Sequence, residues 1–394
     1  MLKSNILSFW LQHMVDHEHG GFYGQMRGDG ALEPQANKGG ILNGRILWSF
    51  SAAYRVLGHP EYLEAATRAK DYILKHFVDY QYGGTYWEVD YLGCPVNSKK
   101  QFYALGFIMY GMSEYARATG DQVALDYAVQ LFQTIEKHAW ESQYGGYIEA
   151  KTKDWQPIED MRLSEKDANY PKSQNTHLHI IEPYTNLYRT LLECPSLQVD
   201  SSVREALEKA LRGLIDIFCL RILNPKTHHL DLFFENDWTR GAGWLESYGH
   251  DIECSWLLHE AALVLGDREV LSRVEPVVQL VAKASEKGLN PDGSMTHESN
   301  VDTNEVDADR HWWVQAEAVV GFLNIYQHFA DESALQKALH CWQYIQENLI
   351  DYEGGEWWWS CDSEGHVNRV DDKAGFWKCP YHNSRMCLEI IERF

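Results

Sequence analysis

Two kinds of helical pattern alternate along the chain. The first places apolar residues at i, i+3, i+4 and i+7 and keeps one face polar. It runs through residues 59–77, 120–139, 205–220, 267–285 and 332–349, and it predicts amphipathic helices lying on a core. The second pattern is apolar on almost every side, through residues 43–58, 101–120, 175–193, 246–265, 311–329 and 381–394. A helix of that kind has to be enclosed by others. The N-terminal stretch 1–17 reads as the start of one more amphipathic helix.

Short aromatic hairpins punctuate the helices. Gly20-Gly21, Gly83-Gly84, Gly145-Gly146 and Gly354-Gly355 each stand before aromatic or β-branched residues. The first three pairs are about 62 residues apart, a period that marks a repeat protein. Degenerate copies fall at 224–235 and 290–298. The long interval between the third and fourth hairpins holds a polar stretch, residues 152–172, that reads as an inserted loop. Six units of roughly 60–70 residues follow, each a hairpin with two helices. The predicted fold is all-α: an (α/α)6 barrel formed as one domain over residues 1–394, with apolar helices inside and polar-faced ones outside. A linear solenoid is the alternative, but six units suit closure and no capping repeat is evident.

Composition narrows the partners. Lys and Arg number 35 against 57 Asp and Glu, a net charge of −22. That surface repels nucleic acid and anionic lipid and favours neutral partners. No stretch approaches a membrane span or a signal-peptide core, so a cytoplasmic protein is expected, monomeric or weakly self-associating. Eight scattered cysteines with no CxxC read as reduced thiols packed in a core. Fifteen Trp, 22 Tyr and 14 Phe suit a site that stacks on flat faces such as sugar rings.

If the units are equivalent, the inner helices begin around one mouth of the barrel. They bring Arg45, Gln101 with Tyr103, Asn175 with His179, His250 with Glu253, Trp312-Trp313 with Glu317, and His382 with Asn383 and Arg385. His250 and Glu253 are one turn apart, so Glu253 is placed to fix the imidazole's tautomer. His177 points away from His179 and reads as a packing residue. Zinc binding by His177, His179, His250 and Glu253 lacks a supporting motif, and phosphate-loop and dinucleotide fingerprints are absent. Two chemistries remain. Glu253, Glu317 and Asp167 are candidate carboxylates for a glycosidase. Facing histidines instead suit proton transfer at carbon, one as base and one as acid. Removing the C2 proton of an aldose gives an enediolate, and its return from the other face inverts C2. Arg45 would stabilise the enediolate oxygen.

The segments "NGRILWSFSAAYR", "PKSQNTHLHIIEPYTNLYR", "SYGHDIECSWLL", "WWVQAEA" and "FWKCPYHNSR" resemble the N-acylglucosamine 2-epimerase superfamily, most closely its cellobiose 2-epimerase branch. The resemblance covers nearly the whole chain and implies an (α/α)6 barrel. It implies His250 and His382 as the acid/base pair, His179 as an assisting group and Arg45 as the holder of the enediolate oxygen. It also implies Asn175 and Glu253 as binding or orienting residues, Trp313 and Trp377 as stacking platforms, and Tyr103 and Asp167 as lining. The expected substrate is a neutral mono- or disaccharide, with no cofactor and no metal. Mannose 2-epimerases share much of this motif set, and mannose isomerases share the histidines. Three features depart from the pattern: Gln174 where Met is expected, Cys254 where a small residue such as Ala is expected, and the 152–172 loop.

Overall fold

The computed structural model describes all residues, 1–394. The apolar segments form helices α1 (Gly40–Leu57), α3 (Phe102–Thr119), α5 (Gln174–Glu193), α7 (Tyr248–Leu265), α9 (Trp312–Phe329) and α11 (Tyr381–Arg393). Between them lie α2 (Pro60–Tyr72), α4 (Gln122–His138), α6 (Ser201–Ile217), α8 (Arg268–Ser285) and α10 (Glu332–Tyr344). The sixth outer position is taken by helical turns at Leu2–Leu7 and Trp10–Met14.

Each inner helix packs on the next, and α11 packs back onto α1. The ring is therefore closed, as the repeat argument required, and the linear alternative is excluded. Nearly every residue of α1, α3 and α9 is buried until the last turn. The outer helices bury one stripe each, for example Val203, Leu207, Leu211 and Leu214 of α6. No helix is long and apolar enough to cross a membrane.

All six predicted hairpins are present. They close through the bridges Val15–Phe22, Val78–Thr85, Trp140–Tyr147, Leu223–Leu230, Leu289–Met295 and Ile350–Trp357. The degenerate fourth copy turns at His228, which takes the positive φ that glycine takes elsewhere. A buried ion pair recurs behind them. Asp16 caps backbone N–H groups of its turn with one oxygen and accepts from Lys38 at 2.7 Å with the other. Asp79 does the same with Lys100, also at 2.7 Å, and Asp351 with Lys373. Lys38 and Lys100 stand two residues before α1 and α3, so each pair ties a turn to the start of an inner helix.

A second row of strand pairs links neighbouring units. Residues 38–39, 100–101, 172–173, 245–247 and 310–311, each just before an inner helix, pair antiparallel with 88–89, 150–151, 233–234, 298–300 and 360–361. Met26 and Ala374 supply the sixth link and close this belt as well. The belt surrounds the N-terminal ends of the inner helices, where the candidate residues lie. The cysteines form no disulfide, and five are buried, but Cys94 is exposed and Cys194 and Cys219 are half-buried, so not all are core thiols.

One helix is bent for a reason in its sequence. Pro183 lacks the N–H that would bond the carbonyl of His179, and His179 leaves helical geometry at φ −90°, ψ 15°. Gly106 of α3 packs directly on that freed carbonyl: a Cβ there would sit 2.6 Å from the His179 oxygen. Gly106→Ala is expected to cost roughly 1–3 kcal/mol by overpacking, and to lower turnover because His179 must move. Thermal melts with parallel kinetics check both effects.

Candidate active site

The inner-helix starts converge as predicted. Trp313, at the start of α9, lies between the two principal histidines, its ring 4.8 Å from that of His250 and 5.7 Å from that of His382. It reaches α7 because residue 249 is glycine; a Cβ there would meet the indole at 2.7 Å.

His382 is 5% exposed. Its Nδ1 contacts Glu317 Oε1 at 2.7 Å, with Glu253 Oε1 at 3.8 Å. His179 Nδ1 contacts Glu182 Oε2 at 3.0 Å, and its Nε2 lies 4.0 Å from Glu253 Oε2. Burial pushes all three imidazoles below their ordinary value, well below it for His250 and His382. For His382 the neighbouring Arg45 and Arg385 guanidiniums push the same way. Neutral rings, ready to act as bases, follow at neutral pH.

The predicted pairing of His250 with Glu253 is not found. His250 Nδ1 pairs with the hydroxyl of Ser247 at 2.7 Å, and Glu253 turns inward to Arg385 at 2.7 Å. An i, i+3 spacing gave the right face but not the direction of the Glu253 side chain, which a buried cation from α11 decides.

Arg385 is more than one polar residue among several at the mouth. It holds Glu317 and Glu253 on one nitrogen, at 2.6 and 2.7 Å, and Glu182 on the other, where Tyr381 also donates to Glu182. Burial, then the neighbouring Glu317, push the Glu253 carboxyl well up. For Glu182 burial opposes ionisation, but Arg385 and His179 outweigh it and hold the carboxyl below its usual range. Glu182 and Tyr381 were missed at the sequence level, although Glu182 stands at i+3 from His179.

Arg45 is the opposite case. It is 3% exposed and has no carboxylate partner. One guanidinium nitrogen donates to Tyr103 Oη at 3.0 Å and the other reaches the Trp377 carbonyl at 3.5 Å. The Cys379 thiol at 3.8 Å and two aromatic faces, Phe107 at 4.1 Å and Tyr381 at 4.8 Å, are also in contact with it. A buried cation without a counter-charge is costly unless an anion forms beside it. Trp377 packs edge-on to Tyr103 and Trp87, so it lines the Arg45 side.

Asn175, Asp167 and His250 line a cavity of about 280 Å³ together with Glu149, Gln174, His297 and Glu298. Asp167 is fixed there by Ser164, which donates from its backbone N–H at 2.8 Å and its hydroxyl at 2.7 Å. The 152–172 loop thus forms one wall. His177 is a packing residue as expected, held between the Ser173 carbonyl and the Tyr147 N–H.

Two groups have metal-ligating composition: His297 with Asp307 and His311, and Glu253 with Glu317 and His382. In the first, the imidazoles are stacked at 4.1 Å and 15°, so their in-plane lone pairs do not converge on one point. In the second, the Arg385 guanidinium already supplies the cation.

Similarity to known proteins agrees with this geometry. A family model described as N-acylglucosamine 2-epimerase (GlcNAc 2-epimerase) matches residues 21–384. Cellobiose 2-epimerase from Bacteroides fragilis is 53% identical over 99% of this chain and 96% of its own length. The structure of cellobiose 2-epimerase from Bacillus thermoamylovorans superposes with a TM-score of 0.92 at 40% identity, covering 100% of this chain and 97% of the other. A D-mannose isomerase structure shares the fold, with a TM-score of 0.84 at 20% identity over 100% of this chain and 97% of that one. With its closed six-unit ring, its three histidines at one mouth and a family match across nearly its whole length, the chain belongs to the N-acylglucosamine 2-epimerase family.

Proposed function

We propose that the enzyme inverts C2 of the reducing-end aldose of β-1,4-linked disaccharides of the cellobiose kind. The carrying observation is the charge arrangement: Arg45, buried and without a counter-ion, near the neutral imidazole of His382, with the neutral imidazole of His250 reached across Trp313. After the hemiacetal opens, one imidazole takes the C2 proton as a neutral base. The enediolate oxygen that forms is the anion Arg45 lacks. The second histidine, neutral in the resting enzyme, takes up a proton from solvent once the enediolate has formed beside it and, as imidazolium, returns that proton to the opposite face; the first histidine releases the C2 proton to solvent, and the product is the C2 epimer. Roles exchange with direction, since each histidine is base toward one epimer. Glu317 on His382 Nδ1 stabilises the imidazolium form of that ring. His179 assists from the Glu182 side, and Trp313 and Trp377 are the stacking surfaces for the sugar. Asn175, Asp167, Tyr103 and Glu253 bind or orient it.

Two other readings differ in where the chemistry goes. A mannose 2-epimerase would use the same groups on one sugar unit, and an aldose–ketose isomerase would return the proton to C1. The glycosidase reading is poorly served. Glu253 and Glu317 share one guanidinium nitrogen instead of facing each other across a bond.

NMR of the EDTA-treated enzyme with cellobiose, and separately with mannose, in D₂O tests the reading. Solvent resets the protonation of the histidines between turnovers, so deuterium is expected at C2 together with the epimer. A ketose product, or glucose released from cellobiose, overturns it.

A further inference from the structure

Buried polar atoms that lack partners gather on one wall of the cavity beside His250. Gln174, 1% exposed, has neither amide oxygen nor amide nitrogen paired. Asn175 Oδ1 is unpaired as well. Behind them Glu149, 4% exposed, accepts from Thr176 Oγ1 at 2.6 Å with one oxygen and has no partner for the other. All three residues line the same cavity as His250, and Arg45, His382 and Trp377 are not among its walls. An orphaned buried donor or acceptor carries the full cost of its desolvation, so four in one wall imply a polar occupant.

The backbone explains why these groups are held there. Ser173 caps α5, its hydroxyl accepting from the Thr176 N–H at 3.0 Å, while the Gln174 N–H donates to the Leu232 carbonyl at 2.8 Å. The first turn of α5 is thereby fixed to two elements. Its side chains at 174 and 175 are committed to the cavity, one turn before His179. A side-chain amide beside a carboxyl oxygen offers both donor and acceptor, which is what adjacent sugar hydroxyls require.

We propose that Gln174 and Glu149 are hydroxyl-binding residues for the sugar unit beyond the reacting ring, and that they set a preference for two-unit over one-unit substrates. This rests on the sugar-binding reading given above. It adds to that reading a donor–acceptor pair in the second-sugar region.

The test is binding of cellobiitol, the alditol in which the reacting carbonyl is reduced, to the full-length protein by calorimetry, with sorbitol as the one-unit comparison. Gln174→Met keeps the side-chain volume and removes both polar atoms; Glu149→Gln keeps the shape and the Thr176 bond. Cellobiitol affinity is expected to fall roughly 5- to 30-fold in each variant, with sorbitol affinity within about 2-fold of the parent. Unchanged cellobiitol affinity, an equal loss for both ligands, or no binding of cellobiitol by the parent protein overturns the proposal. Gln174-dependent binding of cellobiitol in a protein that exchanges no deuterium at C2 would sink the epimerase reading and leave this subsite standing.

Discussion

Replacing His382 by Ala is expected to lower C2 exchange and epimer formation by roughly 10²–10⁴-fold, the range that a positioned general acid or base supplies. The ring has no substitute. His179 is bound to Glu182 on the other side of the carboxylate cluster, and His250 approaches from the opposite side of Trp313. Binding is a separate matter. Arg45, Trp377 and the cavity wall do not depend on the His382 ring for their contacts, so cellobiitol affinity should stay within about 3-fold. Loss of turnover with retained affinity distinguishes an epimerase from a sugar-binding module, and normal turnover would overturn the acid/base assignment. His250→Ala should behave alike in the net reaction. Each variant alone still holds one base, so exchange of the C2 proton of one epimer, without net inversion, is the residual activity to look for.

Much of this was legible in the sequence because the repeat forces it. An apolar helix that recurs every unit has only the centre of a ring to occupy, so its first residues meet at one mouth. That logic brings Arg45, Tyr103, His179, His250, Trp313 and His382 to one mouth from the repeat alone. What it could not give was direction within the mouth. Glu253 points to Arg385, a residue 132 positions away, and no local spacing carries that information. The second row of strand pairs was likewise hidden. Its tight turns use Gly30, Gly93 and Gly365 in three units but Trp155, Trp238 and Asn304 in the other three, so no common turn residue marks them. The long gap after the third hairpin marked 152–172 as a polar loop, but nothing in it showed that Asp167 would be fixed in the cavity wall by Ser164.

Arg385→Met is expected to destabilise the fold by about 3–5 kcal/mol, as removal of one member of a buried ion network does. The guanidinium is 1% exposed and meets Glu182, Glu253 and Glu317, each itself almost fully buried. Methionine fills much of the volume, so packing loss is a small part of the effect. The uncompensated carboxylates are the large part, and they give the variant a signature. Without the cation the Glu182 carboxyl, which Arg385 holds below its usual range in the parent, is left to the burial that raises it, and its folded-state pKa rises above that of the unfolded chain, so the native state binds more protons than the unfolded one. Stability then falls as pH rises through that folded-state value and recovers as pH is lowered. Denaturant midpoints of the variant should therefore move closer to the parent at pH 5 than at pH 7.5. A second change tests the cause. Adding Glu317→Gln removes one charge while keeping a hydrogen-bonding side chain, and it should restore part of the lost stability in Arg385→Met while costing stability in the parent. That reversal of sign is the non-additivity a shared network requires. Additive effects at both pH values would mean that Arg385 stabilises the ring by packing on Trp256 and Tyr381, and that the carboxylates are held apart by other means.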